Sequence, residues 1–312
     1  MVTSRALPWL VAAAALALPP AGSAAQNESI PGVDTSAIPA SARAELDRVL
    51  EDEFCGCGSP HTLKVCLRSH PECRHSKRLA RIALLEAARG VTAAEIGVEL
   101  GRYEQSFRDP RRSLTPDDRQ CSAKAAASVP RAKGTPEDPP PADRPGPVTL
   151  VEFSDFECPH CALARPVLEK FAADSNGKVR LCWMAFPLTQ HPSSLPAAQA
   201  ALFARDRGKF WAVHDALFEN QTRLSTEVIQ ELVQKSGLPG AEWKKALAAG
   251  TYKEQVETQR AAGVSAGVDA TPTLYLNGRK LELLLSPEVL TITVEDELDW
   301  QRTHGTWTAA VR

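Results

Sequence analysis

The sequence has almost no net charge, no second long apolar run after its N-terminal one, and no internal repeat. Its 36 lysine and arginine residues nearly balance 38 aspartate and glutamate residues, which leaves a formal net charge of −2. Nucleic-acid-binding proteins usually carry a basic surplus, so this balance argues against that class. Beyond the N-terminus, no segment is apolar over the ~20 residues that span a bilayer. The length of 312 residues predicts about two domains, at ~150 residues each.

The first 25 residues have the pattern of a secretory signal. Arg5 precedes an unbroken apolar run over residues 10–18, and two prolines and several small residues follow. A membrane anchor is the alternative, but the run is much shorter than a membrane-spanning helix. We therefore predict cleavage after Ala25 and a periplasmic or otherwise exported protein, in a compartment where disulfides persist.

A proline-rich segment divides the remaining chain. Seven of the 26 residues at 122–147 are proline, a composition that favours an extended, semi-rigid linker. Helical patterns at 41–53, 77–89 and 92–107 flank a cysteine cluster before it. We predict a cysteine-rich helical domain over 26–121, a linker over 122–147, a second domain over 148–300 and a tail over 301–312.

The pattern after the linker is that of an α/β fold. Strands are predicted at 148–153, 178–186 and 273–276, and an Asn-Gly turn leads into a fourth strand at about 279–283. A helix is expected from residue 158 to about 173, and residues 194–266 are almost wholly helical. A last helix begins after Ser286, which is expected to cap it.

A Cys-x-x-Cys motif stands where the first of these strands meets a helix. Cys158, Pro159, His160 and Cys161 follow the strand directly. Backbone N–H groups at a helix start favour an anion, so a cysteine there is expected to be a stabilised thiolate. The thiolate is the reactive species in disulfide exchange, and His160 can add a donor or a positive charge. The motif therefore predicts redox chemistry.

Two other interpretations of this motif are a structural disulfide and half of a zinc site. A zinc site requires a second pair of ligands at suitable spacing. After Cys161 the sequence contains only Cys182, with no cysteine or histidine pair near it. The strand and helix on either side of the motif favour the redox interpretation.

The sequence Thr271-Pro272 immediately precedes the third strand. A proline at this position is a candidate for a cis peptide bond, and it leaves neighbouring backbone groups free to pair with an extended substrate. An ordinary loop proline is the alternative.

Residues 147–300 resemble the DsbA-like thiol:disulfide oxidoreductases of the thioredoxin superfamily. The resemblance is carried by VEFSDFECPHC, FPLTQHPSSLPAAQAALFA, GKFWAVHDALFENQ and GVDATPTLYLNG. It implies a thioredoxin fold with a helical insertion, Cys158 as the attacking cysteine and Cys161 as the resolving one. Thr271 and Pro272 would form the cis-proline loop that faces them, and no cofactor is implied.

Glu152 also matches the resemblance, which implies a buried acid beside the disulfide at this position. A carboxylate there could exchange protons with Cys161, because burial raises its pKa. The alternative is a surface glutamate on an edge strand, and its apolar neighbours Val151 and Phe153 do not decide between the two, since strand faces alternate.

The first half of the chain contains a second group of cysteines. They are interspersed with His61, His70 and His75 and comprise Cys55, Cys57, Cys66, Cys73 and Cys121. Structural disulfides that stabilise a small domain are the favoured interpretation, and metal binding is the alternative. Five cysteines cannot all pair among themselves, so one of them stays free or pairs with Cys182. The other expectation for Cys182 is a free cysteine that packs as a small buried apolar side chain.

This region is also similar to the small helical CcmH-type domain of cytochrome c maturation, through the phrase GVTAAEIGVELGRYEQSF and a preceding cysteine pair. The similarity raises the hypothesis that Cys55 and Cys57 form a second redox site that exchanges electrons with Cys158 and Cys161.

We therefore predict an exported enzyme that oxidises protein thiols. Its expected partners are thiol- or disulfide-containing protein substrates and a membrane redox partner that reoxidises it, and no nucleic acid is expected. A reductase or isomerase is the alternative within the enzyme class, and a metal-binding carrier is the alternative outside it.

Overall fold

The computed structural model describes residues 34–36, 38–122, 147–282 and 285–303, so the predicted signal and nearly all of the predicted linker lie outside the described residues. Its contacts divide the described chain into two compact units. We call residues 111–122 and 147–280 the sheet unit. The helical unit comprises the described residues up to 110 and from 281 onwards. Each unit is considered by itself.

The secondary structure comprises four strands and eleven α-helices in the described part of the chain. The strands are β1 (Val148–Ser154), β2 (Val179–Ala185), β3 (Thr273–Leu276) and β4 (Arg279–Leu281). The helices are α1 (Ala40–Asp52), α2 (Leu63–Ser69), α3 (Arg74–Ala88), α4 (Ala93–Arg108), α5 (Pro159–Asp174), α6 (Ser194–Arg205), α7 (Phe210–Glu219), α8 (Thr226–Lys235), α9 (Gly240–Ala248), α10 (Lys253–Ala266) and α11 (Pro287–Arg302).

The helical unit packs α1 to α4 and α11 around one apolar core. Leu46 and Leu50 of α1 meet Ile82 of α3 and Ile292 of α11 in that core. The expected capping box begins α4: the Glu95 N–H donates to the Thr92 hydroxyl, and the Thr92 N–H donates to the Glu95 carboxylate. These two bonds satisfy N–H groups that the first turn of a helix leaves unpaired.

The last helix belongs by its contacts to the helical unit. The predicted second domain over 148–300 would include this helix, and in the structure α11 packs against α3. The physical reason is the buried carboxylate of Asp296, which accepts hydrogen bonds from Arg78 at 2.8 Å and Tyr103 at 2.8 Å. His75 Nδ1 lies 3.0 Å from the same carboxylate. The predicted domain boundaries stay predictions.

The sheet unit is a mixed four-stranded sheet with the order β2-β1-β3-β4. Strands β1 and β2 run parallel and β1 and β3 antiparallel. The five helices α6 to α10 lie between β2 and β3 in the chain, so the predicted α/β fold with a helical insertion is confirmed. None of the helices in the described part of the chain combines the length and apolar character needed to cross a bilayer.

The central strand β1 sends alternate side chains into two different cores, as a pleated strand does. Val151 and Phe153 pack with Met184 and Tyr275 on one face. Glu152 and Ser154 therefore point to the opposite face, and both are buried. The core that contains Cys161, Trp183 and helices α6 to α9 does not include Val151 or Phe153. This alternation places a carboxylate inside the protein.

The segment that precedes the linker covers the edge strand β2. Cys121 forms a disulfide with Cys182 in the middle of β2. The Ser122 N–H donates to Leu181 O at 2.7 Å, and the Gln120 side-chain amide donates to Trp183 O at 3.1 Å. Backbone groups of an edge strand are thus paired within the chain, which removes a template for aggregation.

The turn between β3 and β4 depends on a glycine. Gly278 has a φ of +78°, and a Cβ there would lie 2.2 Å from Arg112 O. Gly237 has a φ of +77° with open space around it, so it is a matched control. We expect Gly237→Ala to lower the free energy of unfolding by about 1 kcal/mol and Gly278→Ala by about 2–4 kcal/mol, because only the second also creates a clash. Urea denaturation measures both, and equal losses would contradict the assigned contact.

Candidate redox site

The loop before helix α5 holds Cys158 at the N-cap, with Pro159 as the first helical residue. The Cys158 N–H donates to Asp155 O at 3.1 Å. The side-chain amide of Gln221 donates to Phe156 O at 2.8 Å and to Cys158 O at 2.9 Å. Proline suits this position because its missing N–H would have no partner in the first turn. The loop is therefore fixed by a hydrogen bond within its own backbone and by the side chain of Gln221.

A buried carboxylate organises the backbone around this loop. Asp155 accepts hydrogen bonds from the N–H groups of Glu157 and Leu188, both at 2.8 Å. Its other contacts are the hydroxyl of Ser194 and Nδ1 of His191, the latter at 2.9 Å. His191 thus contributes to the packing of this loop.

The two thiols of the motif have opposite electrostatic environments. The hydrogen bond from the Cys161 thiol is the largest of the effects that lower the pKa of Cys158 to about 5. Burial opposes this decrease, while Thr271 and the backbone N–H groups of Cys161 and His160 add to it. Burial raises the pKa of Cys161 well above the ordinary value of a thiol, and the nearby Cys158 and Glu152 add to that increase. Cys158 is therefore the thiolate of the pair.

The loop before β3 lies against Cys158. The peptide bond between Thr271 and Pro272 is cis, as the sequence predicted. The protonated Cys158 Sγ donates to Thr271 O at 3.2 Å. This contact brings a backbone carbonyl that is 113 residues away in the chain to the N-terminus of α5.

The buried carboxyl group of Glu152 lies on the same side of the sheet as Cys161. Burial raises the pKa of Glu152 to about 7, and the negative charges of Glu169 and Cys158 add to the increase. Ser154 lies two residues further along the strand and opposes the increases at both Glu152 and Cys161. Glu152 can therefore hold or release a proton near neutral pH.

A second carboxyl group, Glu169 of α5, continues this polar region. Burial raises the pKa of Glu169 to about 7, and Asp215 adds to the increase. Arg165 Nη1 lies 3.4 Å from Asp215 and 3.8 Å from Glu169. Asp215 also accepts a hydrogen bond from His214 Nδ1 at 2.8 Å, and the Arg165–Asp215 ion pair connects helices α5 and α7.

A surface groove of about 510 Å³ adjoins Cys158. Cys158 and Thr271 line the groove, and its apolar lining includes Leu188 and the exposed Val264. Arg260 and Phe186 also line the groove, and the Arg260 guanidinium lies 5.4 Å from the centre of the Phe186 ring. The groove therefore includes a positively charged side chain. Such a surface can contact both apolar and charged parts of a polypeptide.

The structure brings Cys158, Cys161, Glu152, Thr271 and Pro272 together, and it leaves His160 exposed on the first turn of α5. Four further residues belong to this site without having been predicted: Ser154, Asp155, Glu169 and Gln221. Ser154 could have been found, since it shares a strand face with Glu152. Gln221 and Glu169 come from distant helices and have no local signal.

The other six cysteines form three disulfides. Cys55 pairs with Cys66, Cys57 pairs with Cys73, and Cys121 pairs with Cys182. Cys55 and Cys57 are therefore not bonded to each other, although the hypothesis of a second redox site expected them to act as a pair. Of the interspersed histidines, only His75 is buried, and His61 stacks on His70 at 5.6 Å.

The contribution of the Cys161 thiol can be tested by substitution. Cys161→Ala removes the donor and is expected to raise the pKa of Cys158 by about one to two units, because a hydrogen bond to a charged group is worth about 1.5–3 kcal/mol. Cys161→Ser retains a donor and serves as the control. The thiolate absorbance near 240 nm, followed against pH, measures both. Equal pKa values in the two variants would exclude the Cys161 hydrogen bond as the main cause.

The raised pKa of Glu152 predicts a pH-dependent cost to stability. The folded protein keeps its proton between about pH 4.5 and 7, where the unfolded chain has lost it, so the free energy of unfolding falls as pH rises through this range. Glu152→Gln is expected to be more stable than the parent by roughly 3 kcal/mol at pH 8 and to lose this gain by about pH 4.5. The control is Glu257→Gln, at a glutamate 58% exposed. Urea unfolding across this pH range measures the gain, and a gain independent of pH would refute the assignment.

Part of the chain is similar to known proteins. Residues 143–296 match the family model described as Thioredoxin. A probable disulfide bond formation protein D of Bacillus cereus is 33% identical over 144 residues, which cover 42% of this chain and 66% of that protein. The crystal structure of oxidised BdbD from Bacillus subtilis has 24% identity and a TM-score of 0.46, and the match covers 61% of this chain and all of that one.

Other relatives are much longer than the matched region. The protein named Na(+)/H(+) antiporter NhaA 3 of Salinispora tropica is 35% identical over 142 residues, which are 44% of this chain and 21% of the antiporter. The chain thus spans about a fifth of that relative. The family match and the site geometry concern the same part of the chain, and the predicted resemblance to DsbA-like proteins is confirmed: residues 143–296 belong to the thioredoxin family.

Proposed function

We propose that this protein is an exported thiol-disulfide oxidoreductase that oxidises protein thiols through Cys158 and Cys161. The observation that carries the proposal is the difference between the two thiols: one is a stabilised thiolate at a helix N-terminus, and the other is buried with a high pKa. The similarity to proteins named for disulfide bond formation supports the same chemistry.

The proposed reaction begins with the Cys158–Cys161 disulfide. A substrate thiolate attacks Cys158 Sγ, the disulfide breaks, and its electron pair goes to Cys161, which becomes a thiol by taking a proton. A second substrate thiolate then attacks the substrate sulfur of the mixed disulfide and releases Cys158 as a thiolate. The substrate loses two electrons and gains a disulfide, and the enzyme holds both electrons as a dithiol.

Glu152 is the proposed proton donor to Cys161. A buried thiolate with a high pKa needs a proton as soon as it leaves, and a carboxyl group with a pKa of about 7 carries one at neutral pH. During reoxidation the same carboxylate takes the proton back. Glu152 thus acts in both directions of the cycle.

Thr271 and Pro272 are proposed to bind the substrate beside Cys158. Proline has no N–H, so backbone groups in this loop remain available to an extended peptide. The groove beside Cys158, with Leu188 and Val264, offers apolar surface for the flanking side chains. This arrangement suits unfolded or partly folded protein substrates.

The stabilised thiolate of Cys158 favours the oxidising direction. Stabilising the reduced form makes a disulfide a stronger oxidant. His160 is proposed to add a donor or positive charge to this effect. A membrane redox partner is proposed to remove the two electrons after each cycle, and the signal-like residues 1–25 support export.

The alternatives are less well supported. Electron relay through Cys55 and Cys57 would require these two cysteines to form a redox pair, but each is bonded to another cysteine. A metal carrier would require thiolates, since the thiolate is the ligand form of cysteine, and the four cysteines of the cluster are paired. Neither alternative accounts for the environment of Cys158.

Substitution of each cysteine separates the proposed roles. Cys158→Ser is expected to lower the rate of oxidation of a reduced test protein by about a thousandfold or more, because it removes the attacked sulfur. With a test protein that contains a disulfide, the Cys158 thiolate of Cys161→Ser is expected to attack that disulfide and to accumulate a mixed disulfide, because no second cysteine displaces the substrate. The product is visible by non-reducing electrophoresis and mass spectrometry. Oxidation that persists in Cys158→Ser would exclude the mechanism.

The direction of the reaction is tested by the reduction potential of the Cys158–Cys161 pair. Equilibration with glutathione redox buffers is expected to give a value clearly above the ~−270 mV of thioredoxin, because the reduced form is stabilised. A reduction potential near that of thioredoxin would indicate a reductase and not an oxidase, and it would leave the proposed exchange chemistry unchanged.

A further inference from the structure

The four cysteines of the helical unit form one compact sulfur cluster. The Sγ atoms of Cys55, Cys66 and Cys73 all lie within 4.8 Å of one another, although they belong to two different disulfides. These three cysteines are buried, with exposed fractions of 5% or less, and Cys57 is partly exposed. Thiol-disulfide exchange requires direct contact between sulfurs, so this cluster can pass a disulfide from one pair to the other.

One hydroxyl group is shared by the two disulfides. Ser76 Oγ lies 2.9 Å from Cys73 Sγ, 3.2 Å from Cys66 Sγ and 3.4 Å from Cys55 Sγ. Ser76 is fully buried, so this hydroxyl has no contact with bulk solvent. It can donate to whichever of the three sulfurs carries a negative charge.

Cys73 stands in the same kind of position as Cys158. It is the N-cap of the 15-residue helix α3, and the Ser76 N–H donates to its sulfur at 3.4 Å. Together with the Ser76 hydroxyl, this gives a Cys73 thiolate two donors and the positive end of a helix. A disulfide that contains Cys73 therefore has a good leaving group.

The loop of Cys55-Gly56-Cys57 is held against the interior. A Cβ on Gly56 would lie 2.4 Å from Glu104 Oε1 and 2.5 Å from Cδ2 of the buried His75. The loop backbone thus fits closely over these two side chains, and Cys57 remains the sulfur that solvent can reach.

We propose that Cys57–Cys73 is a second site of thiol-disulfide exchange and that Cys55–Cys66 accepts the exchange internally. A thiolate of an external dithiol attacks Cys57 Sγ, the Cys57–Cys73 bond breaks, and the electron pair goes to Cys73 Sγ. The Cys73 thiolate then attacks the Cys55–Cys66 disulfide, bonds to one of its sulfurs and releases the other as a thiolate. The second thiol of the dithiol resolves the mixed disulfide and frees Cys57.

The steps balance. The dithiol loses two electrons and leaves as a disulfide, and the helical unit gains them as two thiols. The one disulfide that it retains is shared among Cys55, Cys66 and Cys73.

The experiment uses the full chain with Cys158→Ser and Cys161→Ser, so that only the three disulfides remain. The oxidised protein is treated with less than one equivalent of dithiothreitol, quenched with acid, alkylated and mapped by mass spectrometry. Cys57 is expected among the first free thiols, together with molecules that contain Cys55–Cys73 or Cys66–Cys73. The buried Cys121–Cys182 disulfide is the internal reference and is expected to stay intact.

A Ser76→Ala variant then tests the leaving group. It is expected to slow the cleavage of Cys57–Cys73 by about three- to tenfold and to leave Cys121–Cys182 unaffected, because the lost donor stabilises only part of the charge in the transition state. Circular dichroism checks the fold of this variant. The preceding experiment does not depend on it, because that experiment substitutes no residue of the helical unit.

The proposal is wrong if Cys57–Cys73 is cleaved no faster than Cys121–Cys182, or if the remaining disulfide is always Cys55–Cys66. Because Cys158 and Cys161 are absent from this experiment, either result leaves the proposed oxidase function untouched.

Discussion

The stabilisation of one negative charge, on Cys158, organises the sheet unit. Its main source is the hydrogen bond from the Cys161 thiol, and two backbone N–H groups at the start of α5 add to it. These donors act only if the loop before α5 is fixed, and the hydrogen bonds from Gln221 to Phe156 and Cys158 fix it. A thiolate at this position follows from the backbone geometry, since the first turn of any helix offers unpaired N–H groups.

The burial of Cys161 and Glu152 has the opposite electrostatic effect. Removing a charge from water costs free energy, so both groups favour their protonated forms. The site therefore separates charge over a short distance, with a thiolate beside the surface groove and a protonated carboxyl group further inside the sheet unit. A neutral Glu152 also avoids placing a second negative charge beside the Cys158 thiolate. The two opposite shifts in pKa thus support each other.

Much of this arrangement could be predicted from the sequence. The strand before Cys158, the helix that begins at Pro159 and the cis bond at Pro272 all have local signals, in apolar patterning and in the properties of proline. Glu152 needed the family resemblance, because the alternation of a strand does not say which face is buried. The buried partners of Asp296, in the helix that begins at Pro287, come from distant segments and have no local signal either. Gln221, Glu169 and the pairing of Cys57 with Cys73 depend on contacts between distant segments, and no local pattern encodes them.

The account rests on the claim that the reduced form is stabilised by the Cys158 thiolate. The most direct test compares the free energy of unfolding of the reduced and oxidised proteins between pH 4 and 9. Because folding lowers the pKa of Cys158 to about 5, its contribution is complete near pH 9 and is lost as pH falls towards 5. We expect the stability of the reduced form, relative to the oxidised form, to decrease progressively as the pH is lowered through this range. A difference between the two forms that does not change with pH would contradict the account.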